Sequence, residues 1–122
     1  MIPIYHLTTL AQWDRVKDEA EYRADSLDRE GFIHTSTAAQ VEGSANRYYA
    51  GEPAIMVLKL NPSKINPPVK WEESSHSPDP FPHIFGPLNL NAVSDVLPWH
   101  KGEDGRFHWP PTAGPDPSKA DA

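Results

Sequence analysis

Three histidines stand in short apolar, strand-like settings: Ile4-Tyr5-His6-Leu7, Phe32-Ile33-His34-Thr35 and Phe81-Pro82-His83-Ile84-Phe85. An imidazole can move a proton near neutral pH, bridge hydrogen-bond partners or ligate a metal. If the three strands are neighbours, the rings converge at one end of a sheet. The alternative for each is a histidine at the edge of the core, bonded to backbone. A three-histidine zinc site is allowed by number. No pair has H-x-x-x-H spacing, however, and no metal site is assigned. Cysteine is absent, which excludes disulfides, thiolate ligands and thiol nucleophiles.

Hydroxyls and one cation add to this set. His34-Thr35-Ser36-Thr37 puts an imidazole and three hydroxyls before an expected helix. Amides at a helix start favour a carboxylate or phosphate, whereas Ser36 or Thr37 can simply cap the helix. A serine nucleophile lacks the G-x-S-x-G elbow. In Asn46-Arg47-Tyr48-Tyr49, Arg47 is a candidate bidentate anion clamp and Tyr48 a candidate stacking ring. The other reading is a solvated Arg47 beside core tyrosines. Glu72 and Glu73 are adjacent on an expected strand, so they face opposite ways and make no carboxylate pair. The run Phe81-Pro82-His83-Ile84-Phe85-Gly86-Pro87-Leu88-Asn89 has a backbone stiffened by proline and a glycine that permits close approach. It suits a pocket wall, with His83 and Asn89 as polar contacts, or an edge strand turning a corner.

These residues need elements to carry them. Only one of 14 prolines lies in residues 1–52, and nine lie in 53–98, so helices belong early and strands in the middle. Thr9-Leu10-Ala11-Gln12 fits a capping box, and Leu10, Trp13, Val16 and Ala20 predict a helix over 10–20. Thr37-Ala38-Ala39-Gln40 repeats the box and predicts a second helix over 38–50, with Val41, Ala45 and Tyr48 inward. Ala54-Ile55-Met56-Val57-Leu58-Lys59-Leu60 reads as a strand buried on both faces. Strands are also expected at 69–72, at 81–85 as an edge or irregular strand, and at 92–97, with a loop over 74–80. The result is a single α+β domain over residues 1–99. Residues 100–122 read as a Pro/Gly-rich tail on which Phe107 and Trp109 dock, with the last ten or so residues disordered.

At 122 residues the chain has room for one modest core. A formal charge of −6 argues against an extended nucleic-acid surface but allows a local basic pocket. No apolar run approaches a membrane span, and the N-terminus lacks signal-peptide character, so a soluble cytoplasmic protein is expected.

Taken in order, Ile4-Tyr5-His6-Leu7-Thr8-Thr9, Gly31-Phe32-Ile33-His34-Thr35-Ser36, Ala45-Asn46-Arg47-Tyr48-Tyr49 and Phe81 through Asn89 resemble the family called domain of unknown function 952, over about residues 4–97. The resemblance implies an ADP-ribosyltransferase-like fold: a split, mixed or mostly antiparallel sheet, two main N-terminal helices and a nucleotide-sized cleft. It further implies that His6, with Thr8 beside it, contacts a ribose, and that His34 with Thr35 and Ser36 forms the middle motif. NAD or an ADP-ribose-like nucleotide is then the implied ligand, and NAD-dependent transfer the implied chemistry. The third motif of such enzymes brings a glutamate, yet residues 81–92 contain no acidic residue. That departure favours a small-molecule-binding cleft over a transferase. An adaptor role through Trp71, Phe81 and Phe85 is the remaining alternative.

Overall fold

The computed structural model describes residues 2–111. The expected disorder of the last ten or so residues therefore lies outside the described part. Strand β1 (Ile4–Thr8) pairs antiparallel with β4 (Ala54–Leu60), and β4 pairs antiparallel with β8 (Val93–His100). The alternation of β4 divides two cores. Leu58 and Leu60 point into a cluster with Ile4, Tyr22, Ile33, Ile84 and Leu88. Ile55 and Val57 point into another with Tyr5, Leu7, Val41, Trp99 and Phe107. The apolar run is thus buried on both faces, as its composition requires.

Helix α1 (Leu10–Val16) starts where Thr9 Oγ1 accepts the Gln12 amide at 3.1 Å. It is shorter than the expected 10–20, and Leu10 is exposed. The chain then makes a two-residue strand, β2 (Glu21–Tyr22), and a short helix, α2 (Asp25–Glu30). Neither was expected from the periodicity. Gly31 ends α2 at φ 86°, with its amide bonded to the Leu27 carbonyl at 3.0 Å. A side chain there meets the left-handed penalty, so Gly31→Ala should lower stability by about 1–2 kcal/mol. Urea unfolding with an unchanged slope would measure this directly.

After β3 (Ile33–His34) comes α3 (Val41–Tyr48). Val41 and Ala45 are buried as expected, but Tyr48 is 62% exposed. The segment expected to be a loop over 74–80 is instead the end of a hairpin. Strand β5 (Val69–Ser74) pairs antiparallel with β6 (Ser77–Ile84). Nor is 81–85 an edge: β6 is central in the order β3-β6-β5. The prolines survive there because of their direction. The carbonyls of Pro80 and Pro82 accept from Gln40 Nε2 and Thr35 Oγ1, on the side away from β5. The amides that proline lacks would lie on that same side and cost the β5 ladder nothing.

Strand β7 (Leu88–Asn89) pairs antiparallel with β2. The architecture is α+β, with antiparallel sheets and three helices rather than two. One bridge joins the β1 sheet to the segment after β3: Tyr5 and Ser36 exchange both backbone hydrogen bonds at 2.8 Å. Gly86 sits where an added Cβ would come within 2.9 Å of Pro67 Cβ, so the close approach expected of it is to the Pro67 ring. No helix among the described residues is long and apolar enough to cross a membrane.

Candidate functional site

Where β1 and β3 diverge beyond the Tyr5–Ser36 bridge, a cleft of about 580 Å³ opens. That volume lies within the range of small-molecule sites. His6, Thr8, His34, Thr35, Ser36 and His83 all line it, as does Tyr48. The topology explains the convergence. His34 faces His83 in the β3–β6 register, and His6 lies on β1 beside the bridge.

The three imidazoles are not equivalent. His6 is buried, and both its ring nitrogens are engaged within the protein. Nδ1 lies 2.7 Å from the His34 carbonyl, so that nitrogen carries the proton and donates it. Nε2 then accepts from the Tyr22 hydroxyl at 2.9 Å. Thr8 Oγ1, 3.4 Å from that hydroxyl, completes a buried chain. Burial lowers the His6 pKa to about 4, against a smaller upward pull from the His34 carbonyl bond. Burial also pushes the Tyr22 phenol up, keeping it a donor. His6 is therefore a neutral, fixed ring that clamps Tyr22 and β3.

His34 and His83 are arranged differently. His34 Nε2 pairs with Glu30 Oε2 at 2.5 Å, and His83 Nδ1 pairs with Glu72 Oε1 at 2.8 Å. The two rings meet edge to face with centroids 5.2 Å apart. His83 is stacked on Phe32 at 4.2 Å and 16°. Each carboxylate accepts one ring N–H. Nδ1 of His34 and Nε2 of His83 have no hydrogen-bond partner among the described residues. The two carboxylates come from α2 and β5, outside every motif that singled out the histidines.

The hydroxyls serve the frame. Thr35 Oγ1 donates to the Pro82 carbonyl, and Ser36 Oγ is 3.0 Å from Ser44 Oγ. The Thr37 amide is taken by Gln40 Oε1 at 3.0 Å, so that amide is not open to an anion, but neither Ser36 nor Thr37 caps α3 with its hydroxyl: Gln40 stands at the N-cap and Ser36 turns to Ser44. Tyr49 donates its hydroxyl to the Leu7 carbonyl at 3.1 Å, and burial pushes its pKa up to about 12.

Two expected site residues lie elsewhere. Arg47 is exposed on α3, 5.8 Å from the Tyr48 ring centre and outside the cleft lining. Asn89 is buried and holds the 64–66 turn: its side chain accepts from the Asn66 amide and donates to the Lys64 carbonyl, both at 2.8 Å. The cleft instead receives Arg15 from α1 and Arg29 from α2. Arg29 makes no ion pair among the described residues. A basic residue in the last turn of each short helix was visible, but without α2 nothing aimed Arg29 at the histidines. Among the described residues no group of three or more His, Asp or Glu side chains is placed to hold a metal ion.

This arrangement provides proton donors and acceptors, two cations and an exposed aromatic ring around one small cavity. A family model described as "Protein of unknown function (DUF952)" matches residues 7–96. The chain is similar to the crystal structure of protein CC0527 from Caulobacter crescentus, with 25% identity and a TM-score of 0.78 over 87% of this chain and 93% of that one. It is likewise similar to the solution NMR structure of CC0527, with 26% identity and a TM-score of 0.74 over 87% and 91% of the two chains. No curated protein matches.

Proposed function

The chain belongs to the domain of unknown function 952 family, and from that premise we propose that its cleft binds a phosphate-bearing small metabolite of the nucleotide class, with ADP-ribose or NAD as first candidates. One observation carries this reading: Arg15 and Arg29, the exposed Tyr48 ring and the His34–His83 pair border a single cavity of about 580 Å³. Guanidinium groups recognise phosphate. An exposed tyrosine offers a face for a base or ring. Asp25 and Glu30 stand in the same lining, so the phosphate contact is carried by the two guanidinium groups themselves and not by a net positive field.

An ADP-ribosyltransferase-like reading of the fold belongs to the same proposal. It is supported by histidines on β1 and β3 on either side of the split. His6, with both nitrogens occupied, is the positioning member of that pair, and ribose contact falls to Thr8, Tyr22 or His34. The adaptor reading has weaker support: Trp71 is exposed on β5, but Phe81 faces the cleft and Phe85 packs on Phe32.

Thermal unfolding tests the proposal. ADP-ribose at about 100 times its dissociation constant should add roughly 2.7 kcal/mol and raise the midpoint by several degrees. Arg29→Ala and Arg15→Ala should lose most of that rise, and Arg47→Ala should keep it. No rise with ADP-ribose, NAD or simple nucleotides at saturating concentrations would contradict the reading.

A further inference from the structure

The geometry points to a second activity level in this cleft: His34 and His83 form an acid–base pair that hydrolyses a phosphodiester of a single nucleotide. The inference rests on the proposed nucleotide cleft and deepens it. Each imidazole is held by its own carboxylate, Glu30 for His34 and Glu72 for His83. Such a bond fixes the ring's orientation and leaves its second nitrogen to the substrate. Those second nitrogens, Nδ1 of His34 and Nε2 of His83, carry no bond among the described residues, and both residues line the cavity. Phe32 stacks flat on His83 and edge-on to His34, fixing the second ring plane from its other side.

The choice of bond follows from where the carboxylates point. Cleavage of a glycosidic bond calls for a carboxylate facing the sugar as its positive charge develops. Here Glu30 and Glu72 are both committed to imidazoles. The other carboxylate of the lining is Asp25, at the start of α2; the groups that converge as a pair are the two imidazoles, with Arg15 and Arg29 in the same lining. A phosphate monoester gains little from a base, because its loose transition state asks little of the nucleophile. A diester has an alkoxide leaving group and a nucleophile to activate, so it uses both a base and an acid.

In the step proposed, His34 Nδ1 takes a proton from water as its oxygen bonds to phosphorus. The bond from phosphorus to the ester oxygen breaks, and protonated His83 gives its Nε2 proton to that oxygen. The products are a phosphate monoester and a free hydroxyl. His34 then releases its proton to solvent and His83 regains one. Arg15 and Arg29 hold the non-bridging oxygens.

The test is turnover of 2′,3′-cyclic AMP, followed by phosphorus NMR, with binding of AMP measured separately by calorimetry. Wild type should convert the cyclic diester to a monoester. His83→Ala and His34→Ala should each lose at least about 100-fold in rate, with AMP binding weakened far less than the rate. Glu72→Gln, a change at a half-buried side chain that preserves shape, should lose rate with its fold and AMP binding intact. Wild type that binds AMP without turning over the diester would overturn this inference and leave the cleft reading standing. Turnover undiminished in both histidine variants would overturn it as well. Failure to bind either nucleotide would overturn it too, and the cleft reading would fall with it where ADP-ribose and NAD also fail to bind.

Discussion

Replacing Phe107 with alanine should cost about 3–5 kcal/mol, a large part of the total stability of a domain this size. The side chain is fully buried and its ring lies 5.2 Å from that of Trp99. The backbone around it is fixed as well. Asn46 donates to the Phe107 carbonyl at 3.0 Å and accepts its amide at 2.9 Å. Trp99 Nε1 donates to the His108 carbonyl at 3.0 Å, and the Trp109 amide bonds to Glu42 Oε1 at 2.8 Å. The segment after β8 is thus a strap over the second core and not an appendage to it. Chemical denaturation should show the loss, while exposed Arg106→Ala stays within about 0.5 kcal/mol. A cost below about 1 kcal/mol for Phe107→Ala would mean the strap is dispensable.

Acid should weaken the fold through His6. Its folded-state pKa is about 4, lowered mainly by burial, against an ordinary value of 6.5. Between these values the unfolded chain binds a proton that the folded chain excludes. The His6 contribution is therefore complete above about pH 6.5, declines as pH falls, and stops declining below about pH 4. The full difference is about 3 kcal/mol. The groups packed around the ring are the His34 carbonyl, the Tyr22 hydroxyl and, beyond it, Thr8. None of these is a carboxylate able to stabilise an imidazolium. Stability measured from pH 7 to 4 should fall more steeply in wild type than in His6→Gln, which has no proton to gain. Equal slopes would show that His6 titrates as freely folded as unfolded.

Much of the frame was legible because its signals are strong and local. The apolar run of β4 fixed a strand buried on both faces. Thr9 and Gln12 marked the start of α1, and Val41 and Ala45 the inner face of α3. The stretch 21–30 was not legible. Its helix has six residues with only Leu27 apolar, too short to show a period, although Asp25, Asp28 and Gly31 marked its ends. That omission hid Tyr22, Arg29 and Glu30 together. Proline misled over 74–85, because sequence alone does not say which side of a strand its missing amide faces. Of the site, the histidines were found by type and setting. Their partners were not, since Glu30 and Glu72 reach them through folding rather than through spacing. Asn89 and Asn46 are polar residues whose work is internal: one holds a turn and the other holds the strap.

The most direct test of the cleft is an NMR titration of nitrogen-labelled protein with ADP-ribose. Saturable shifts should centre on the amides of residues 6–8, 34–36 and 83 and on the imidazole resonances of His34 and His83. Asn66 and Asn89, outside the cleft lining, should stay still. Shifts absent at saturating ligand, or centred on the 64–66 turn and β7, would contradict a nucleotide-class site between β1 and β3.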